Sequence, residues 1–140
     1  MKKILVCGLP GSGKTTFAKE LQKQLKKKGK TVAWFNADVV REMNNDWDFS
    51  TEGRIRQCNR MKSLADGMMT DYVICDFVAP TEEIRKLFNT DYTIWMNTEE
   101  KSEYEDTNAL FEDLSYSDFM VTEKNAQEMV KITVKDILGL

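Results

Sequence analysis

A glycine-rich segment near the N-terminus carries the strongest chemical signal in the sequence. Residues 8–15 read Gly-Leu-Pro-Gly-Ser-Gly-Lys-Thr, which matches the phosphate-binding pattern G-x-x-x-x-G-K-[ST] at every fixed position. Glycines let consecutive backbone N–H groups turn toward one phosphate, Lys14 adds a point charge for the outer phosphates, and the Thr15 hydroxyl is a ligand for Mg²⁺. The segment predicts an ATP site. The residues expected to bind ATP are Gly8, Leu9, Pro10, Gly11, Ser12, Gly13, Lys14, Thr15 and Thr16.

Two aspartates are expected close to this loop. Asp38 follows the predicted strand Thr31–Phe35, and Asp76 ends the predicted strand Tyr72–Asp76. The carboxyl ends of such strands form the ligand-binding edge of a parallel sheet. A hydroxyl group that attacks a phosphate needs a carboxylate within hydrogen-bond reach, so Asp38 is predicted to bind the phosphate acceptor and to act as general base. Lys14 is the second predicted catalytic residue. Asp38 and Asp76 are also candidate Mg²⁺ ligands. The alternatives are an N-cap role for Asp38 and simple exposure at the strand end for Asp76.

The composition limits which other side chains could take part in catalysis. The chain of 140 residues contains no histidine, which excludes imidazole metal ligands and nucleophiles that are activated by histidine. Carboxylates or lysines must therefore carry any proton transfer. Twenty basic and twenty-three acidic residues give a net charge of -3, so no overall positive field favours binding to nucleic acid or to an anionic membrane.

The cysteine content and the apolar runs bear on the cellular compartment. Cys7, Cys58 and Cys75 are an odd number without metal-like spacing, which predicts a reducing, cytoplasmic environment. The apolar run Ile4–Cys7 is too short for a signal peptide. No apolar stretch approaches the roughly 18 residues of a membrane span.

The elements that must position these residues can be predicted from hydrophobic periodicity. Helical patterns separate the first four strands and follow the fifth. The longest is expected over 51–69, and the last begins with a capping-box-like pair, Asn125 and Glu128. This alternation predicts an α/β fold, a P-loop NTPase three-layer sandwich with a five-stranded parallel sheet and helices on both faces, as a single domain over 1–140. The five predicted strands are Ile4–Cys7, which is expected to be central, Thr31–Phe35, Tyr72–Asp76, Tyr92–Met96 and Phe119–Val121.

Three further segments match motifs of one enzyme family. Asn36–Arg41 is similar to Asp-Gly-Asp-x-x-Arg, Asp48–Arg54 to Gly-Phe-Ser-x-x-Asp-Arg, and Phe77–Pro80 to Phe-Ile-Ser-Pro. Met96–Thr98 and Asp106–Phe111 add weaker matches to Val-Asp-Thr and Asp-Pro-Lys-Gly-Leu-Tyr. These motifs belong to adenylylsulfate kinases, which the chain resembles over most of its length. The resemblance implies transfer of the γ-phosphate of ATP, with Mg²⁺, to the 3′-hydroxyl of adenosine 5′-phosphosulfate.

The resemblance also implies a site for the phosphate acceptor. Arg41 and Arg54 would clamp an anionic group, since the planar guanidinium suits phosphate or sulfate oxygens; the alternative for each is a solvated helix face. Phe49 would stack on the acceptor base with Phe77 opposite, and the alternative for both is packing into the core. Family members often form dimers, so a homodimer is a further expectation.

Several positions depart from the family pattern. Asn36 and Gly53 stand where the family has aspartate, Gln57 stands in place of asparagine, and Ala79 stands in place of a serine. A phosphoserine intermediate at position 79 is therefore impossible. The acidic segment (Ser102–Glu123) contains no lysine or arginine, whereas family members carry a basic lid there.

The missing lid cations leave three functional outcomes open. The protein could be a slow kinase, a kinase that uses Arg41, Arg54, Arg60 or a partner's arginine, or a nucleotide-binding protein without turnover. A rival enzyme class is a 5′-hydroxyl nucleoside or polynucleotide kinase, because Asn36-x-Asp38-x-x-Arg41 is also similar to a segment of polynucleotide kinases. An acidic lid would repel a nucleic-acid strand, so a small nucleotide is the predicted partner.

Overall fold

The strand that leads into the glycine-rich loop lies at the centre of the sheet. In the computed structural model, which describes residues 1–140, five parallel strands are ordered β2-β3-β1-β4-β5. The predicted sheet and the central position of its first strand are confirmed. The strands are β1 (Lys2–Cys7), β2 (Val32–Asn36), β3 (Tyr72–Asp76), β4 (Tyr92–Met96) and β5 (Phe119–Val121); the helices are α1 (Lys14–Lys27), α2 (Ala37–Asn44), α3 (Thr51–Asp66), α4 (Glu82–Phe88), α5 (Glu105–Leu110) and α6 (Ala126–Leu138).

Helices cover both faces of the sheet, as the sequence predicts. Successive side chains of a strand point to opposite faces, so Ile4 and Val6 of β1 pack with α1 and α6, while Leu5 and Cys7 pack with α2, α3 and α4. All four side chains are fully buried. The three-layer arrangement leaves the carboxyl ends of β1, β2 and β3 side by side. No helix is both long enough and apolar enough to cross a membrane.

Three local expectations need correction. Helix α3 ends at Asp66 rather than at residue 69, because Gly67 provides its C-cap. The capping box at α6 is wrong: the Asn125 side chain makes no cap hydrogen bond, and Glu128 instead pairs with Lys131. Helix α5 lies in the acidic segment, where no helix was predicted.

Candidate active site

The glycine-rich loop between β1 and α1 has a backbone conformation that depends on its glycines. Gly8, Gly11 and Gly13 have φ angles of 152°, 80° and 94°, which lie in the region that glycine adopts readily. A Cβ atom at Gly8 would also lie 2.6 Å from the carbonyl oxygen of Met96, whereas one at Gly11 would meet nothing within 4 Å. The loop therefore packs tightly against the end of β4 and is open on its other side. Lys14 Nζ donates to the carbonyl oxygen of Leu9, 2.9 Å away.

The open side of this loop faces a cavity of about 350 Å³, here called the loop cavity. Six of the nine residues predicted to bind ATP line it, and three do not. Those that line it are Pro10, Gly11, Gly13, Lys14, Thr15 and Thr16. Of the others, Gly8 packs against β4, Ser12 is fully buried and Leu9 lines a separate cavity beside Trp95 and Phe111.

Asp76 is buried in a hydrogen-bond network at the back of the loop cavity. Its side chain accepts from Trp34 Nε1 (2.6 Å), Asn36 Nδ2 (3.0 Å) and the Thr15 hydroxyl (3.3 Å). Burial raises the pKa of Asp76, while the bonds from Trp34 and Asn36 and the charge of Lys14 lower it. Only 2% of Asp76 is exposed, so the alternative of a carboxylate exposed at the strand end is wrong.

Asp38 lies in the first turn of α2 with its side chain exposed. The N-cap of this helix is Asn36, whose Oδ1 accepts from the backbone N–H of Val39 at 3.1 Å. The alternative of Asp38 as N-cap is therefore wrong. The Asp38 carboxylate makes no hydrogen bond within the chain, and Asp38 lines both the loop cavity and the smaller neighbouring cavity described below.

Two oxygen donors beside the loop cavity are suited to bind a small, hard cation. The Thr15 hydroxyl and an Asp76 carboxylate oxygen are 3.3 Å apart, and both are oxygen donors of the kind that Mg²⁺ prefers. No group of three or more His, Cys, Asp or Glu side chains forms a dedicated metal cage. This is the pattern expected when Mg²⁺ keeps several waters and is held by one or two protein ligands together with phosphate oxygens.

The smaller cavity, about 60 Å³ and here called the arginine cavity, brings together all five predicted acceptor-binding residues. Arg41, Phe49, Arg54 and Phe77 all line it, and it shares Asp38 with the loop cavity. The guanidinium carbons of Arg41 and Arg54 lie 4.4 and 5.5 Å from the centre of the Phe49 ring. Both arginines are over 90% buried, so the alternative of a solvated helix face is wrong for each.

Each arginine is also held by the protein. Arg41 Nη1 donates to the carbonyl oxygens of Asp46 and Asp48. Arg54 donates from Nε to the carbonyl oxygen of Phe49 and from Nη2 to the Thr107 hydroxyl. Burial lowers the pKa of both guanidinium groups, but from so high a starting value that both stay charged. These bonds orient two positive charges toward the arginine cavity.

The two phenylalanines have different surroundings. Phe49 is 46% exposed and contacts the exposed Trp47 ring at 6.4 Å between ring centres, so it is not a core residue. Phe77 is 7% exposed and packs edge-to-face on Phe88 at 5.3 Å, which confirms the core alternative for Phe77. One phenylalanine is therefore free to contact a ligand with its ring, while the other forms part of the cavity wall.

Arg85, which no sequence motif singles out, attaches the acidic segment to the rest of the fold. Arg85 donates to the carbonyl oxygens of Ala79 and Glu112, and its guanidinium lies 5.1 Å from the centre of the Phe111 ring. With the bond from Arg54 to Thr107, these contacts dock the segment beside the arginine cavity, and Phe111 of the segment also lines one cavity with Leu9 of the glycine-rich loop. Only the long-range packing reveals this role, because Arg85 and Glu112 are 27 residues apart.

Arg60, considered above as a replacement for lid cations, lines neither cavity. Its guanidinium donates to Asp46 Oδ2 at 2.6 Å and to Gln57 Oε1 at 3.0 Å. Asp46 also binds Arg56. The charge of Arg60 is therefore already paired, and the structure does not bring it to the site.

The departure at Gly53 has a steric cause. The loop at 45–50 folds back onto the start of α3, where a Cβ atom at position 53 would lie 2.1 Å from the carbonyl oxygen of Asp48. That same carbonyl group accepts the hydrogen bond from Arg41. An aspartate at position 53, as in the family motif, would displace the loop that holds Arg41.

Replacing Gly53 by alanine is expected to lower the free energy of unfolding by about 1–3 kcal/mol, the usual effect of overpacking. Gly67→Ala, at the C-cap of the same helix, is the control, since its Cβ atom would approach no atom closer than 3.4 Å. Urea unfolding followed by tryptophan fluorescence measures both. If Gly53→Ala were as stable as the control, the loop would not be held in this position by close packing.

The chain is similar to known adenylylsulfate kinases in sequence. It is 35% identical over 82 residues to an adenylyl-sulfate kinase of Halothermothrix orenii, a match that covers 56% of this chain and 44% of the relative. It is 34% identical over 87 residues to a probable adenylyl-sulfate kinase of Aeropyrum pernix, covering 60% and 48%. The matched region thus spans less than half the length of these relatives.

The fold is similar to that of solved kinases. An APS kinase from Mycobacterium tuberculosis, solved in complex with AMPPNP and APS, superposes with a TM-score of 0.81 at 17% identity, covering 98% of this chain and 97% of that one. This likeness confirms the P-loop kinase fold. The sequence model for adenylylsulphate kinase matches residues 2–112, a range that contains the glycine-rich loop and both cavities, and the chain belongs to the adenylylsulphate kinase family.

Proposed function

We propose that this protein transfers the γ-phosphoryl group of ATP to the 3′-hydroxyl of adenosine 5′-phosphosulfate. The observation that carries the proposal is the position of Asp38, which lines both the loop cavity and the arginine cavity. A carboxylate at such a junction can reach a hydroxyl group that enters from one cavity and attacks a phosphate held in the other. Family membership supports the choice of acceptor.

In the proposed reaction, the 3′-hydroxyl oxygen forms a bond to the γ-phosphorus while the bond from phosphorus to the ADP oxygen breaks. Asp38 accepts the proton of the hydroxyl group. Lys14 and the backbone N–H groups of the loop hold the phosphate oxygens. Mg²⁺, when bound with ATP, would neutralise charge on the β- and γ-phosphates, and Thr15 and Asp76 would hold it there.

Three cations remain beside the two cavities in the absence of a basic lid. Lys14 lines the loop cavity, and Arg41 and Arg54 line the arginine cavity. Since phosphoryl transfer depends largely on charge neutralisation and positioning, these side chains favour a kinase over a nucleotide-binding protein without turnover. The acidic segment contributes no positive charge.

The proposal is tested by supplying Mg-ATP with one acceptor at a time and following ADP. The acceptors are adenosine 5′-phosphosulfate, deoxynucleosides and 5′-hydroxyl oligonucleotides. ADP formation is expected with adenosine 5′-phosphosulfate, with the new phosphate on its 3′ oxygen. Turnover on oligonucleotides alone would favour a polynucleotide kinase, and nucleotide binding without turnover on any acceptor would favour a binding protein.

Two further features belong to this proposal. The homodimer expected from the family resemblance is checked by light scattering at several protein concentrations.

A cytoplasmic location is proposed from the cysteine content, and the thiols of Cys7, Cys58 and Cys75 are all buried and free. Burial raises the pKa of the Cys75 thiol to about 12, which makes it unreactive at neutral pH.

A further inference from the structure

Asn36 lies between the two residues that fit Mg²⁺. Its Nδ2 group is 3.0 Å from the Thr15 hydroxyl and 3.0 Å from Asp76 Oδ1, and the Thr15 hydroxyl is 3.3 Å from the same Asp76 oxygen. The three side chains form a closed triangle. They come from three different elements, which are α1, the end of β2 and the end of β3.

The sheet register explains why these groups meet. Asn36 is the register partner of Asp76 across the parallel β2–β3 pair. Trp34, two residues earlier on β2, points to the same face and donates to the other Asp76 oxygen, Oδ2. Each oxygen of the buried carboxylate is therefore held by a separate N–H donor.

The orientation of the Asn36 amide is fixed by its neighbours on both sides. Val39 N is a donor, so the atom that faces it must be the amide oxygen. Asp76 Oδ1 is an acceptor, so the atom that faces it must be the amide nitrogen. An amide side chain can accept a hydrogen bond from Val39 N–H and donate one to Asp76 at the same time. An ionised carboxylate could accept from Val39 N–H but would repel the Asp76 carboxylate.

We propose that Asn36 is a positioning residue for Mg²⁺: its amide N–H groups orient the Thr15 hydroxyl and the Asp76 carboxylate as a pair of metal ligands, while its amide oxygen separately caps α2. Groups that hydrogen-bond to metal ligands commonly change metal affinity 10- to 100-fold when they are removed. The inference rests on the proposed function for the nucleotide and the metal, and it does not depend on which acceptor is used.

Two substitutions separate positioning from capping. Asn36→Ser retains an oxygen that can cap α2, but its side chain is too short to reach Thr15 and Asp76; Asn36→Ala loses both roles. Asn125→Ser is the matched control, because Asn125 is also an N-cap asparagine but its side chain makes no cap hydrogen bond. Calorimetry with a non-hydrolysable ATP analogue, in EDTA and across a Mg²⁺ titration, measures metal affinity without requiring turnover.

The proposal expects the two Asn36 variants to lose the same 10- to 100-fold in apparent Mg²⁺ affinity, with nucleotide affinity in EDTA changed less than twofold. Both lose the bond to the buried Asp76 carboxylate, and Asn36→Ala, which also loses the cap, is expected to melt at a lower temperature than Asn36→Ser; Asn125→Ser should match the parent in both measurements. If Mg²⁺ affinity were normal in the serine variant and weak in the alanine variant, Asn36 would be a cap alone. Unchanged Mg²⁺ affinity in both variants would also overturn the proposal.

These outcomes are distinct from failure of the proposed function. A chain that binds Mg²⁺ and nucleotide as expected, but transfers no phosphate to adenosine 5′-phosphosulfate, would retain the role of Asn36 and lose only the acceptor. A chain that binds no nucleotide would overturn both.

Discussion

Asp38→Asn is expected to lower the turnover number by about 10²–10⁴-fold, the usual contribution of a general base. The asparagine has nearly the same shape but cannot accept the proton of the attacking hydroxyl group. Because Asp38 is exposed and makes no hydrogen bond within the chain, its replacement should leave folding and ATP binding nearly unchanged. Initial rates of ADP formation and the KM for ATP measure the two effects separately.

Glu42→Gln is the matched control for this experiment, since Glu42 is an exposed carboxylate one turn further along α2 and lines neither cavity. It should retain the parent rate. A full rate in Asp38→Asn would remove Asp38 from the proposed mechanism. An equal rate loss in Glu42→Gln would point to the general charge of α2 rather than to one positioned carboxylate.

Lys14→Ala is expected to reduce turnover by at least about 10²–10³-fold, the effect of losing one positioned charge at a transition state, and to weaken ATP binding as well. The ammonium group is partly enclosed beside the loop, where burial lowers the pKa of Lys14 and the charge of Asp76 raises it. It reaches across the loop to the Leu9 carbonyl oxygen, so its charge is already held beside the loop cavity. The same rate assay and calorimetry with an ATP analogue measure both losses.

Lys23→Ala is the matched control, because Lys23 is an exposed lysine on the same helix. Its replacement should change neither rate nor affinity. Parent-like turnover in Lys14→Ala would contradict the assignment of residues 8–15 as the phosphate-binding loop, whatever the acceptor.

The arginine cavity shows which features of the site could be predicted from the sequence and which could not. Arg41, Phe49, Arg54 and Phe77 were predicted as a group, and they do line one cavity. Their individual surroundings were not predictable. That Phe77 belongs to the core depends on Phe88, eleven residues later, and the buried state of Arg54 depends on Thr107, 53 residues away.

The loop at 45–50 gives a second example. The sequence identifies Gly53 only as a departure from the family pattern, without a reason for it. The reason is the close approach of the Asp48 carbonyl group to that glycine, combined with the bond from Arg41 to the same carbonyl. Such a contact depends on how a loop folds back on a helix, and the hydrophobic periodicity of the sequence cannot predict that.

The amino-acid sequence alone determined the phosphate-binding loop and the order of the strands and of every helix except α5, because glycine spacing and hydrophobic periodicity act between near neighbours in the chain. The tertiary structure alone decided that Asn36 and Trp34 hold the Asp76 carboxylate, and that Asn36 rather than Asp38 caps α2. Asn36 and Asp76 are 40 residues apart. They meet only through the register of two parallel strands, which is set by packing of the whole sheet between its two helical layers.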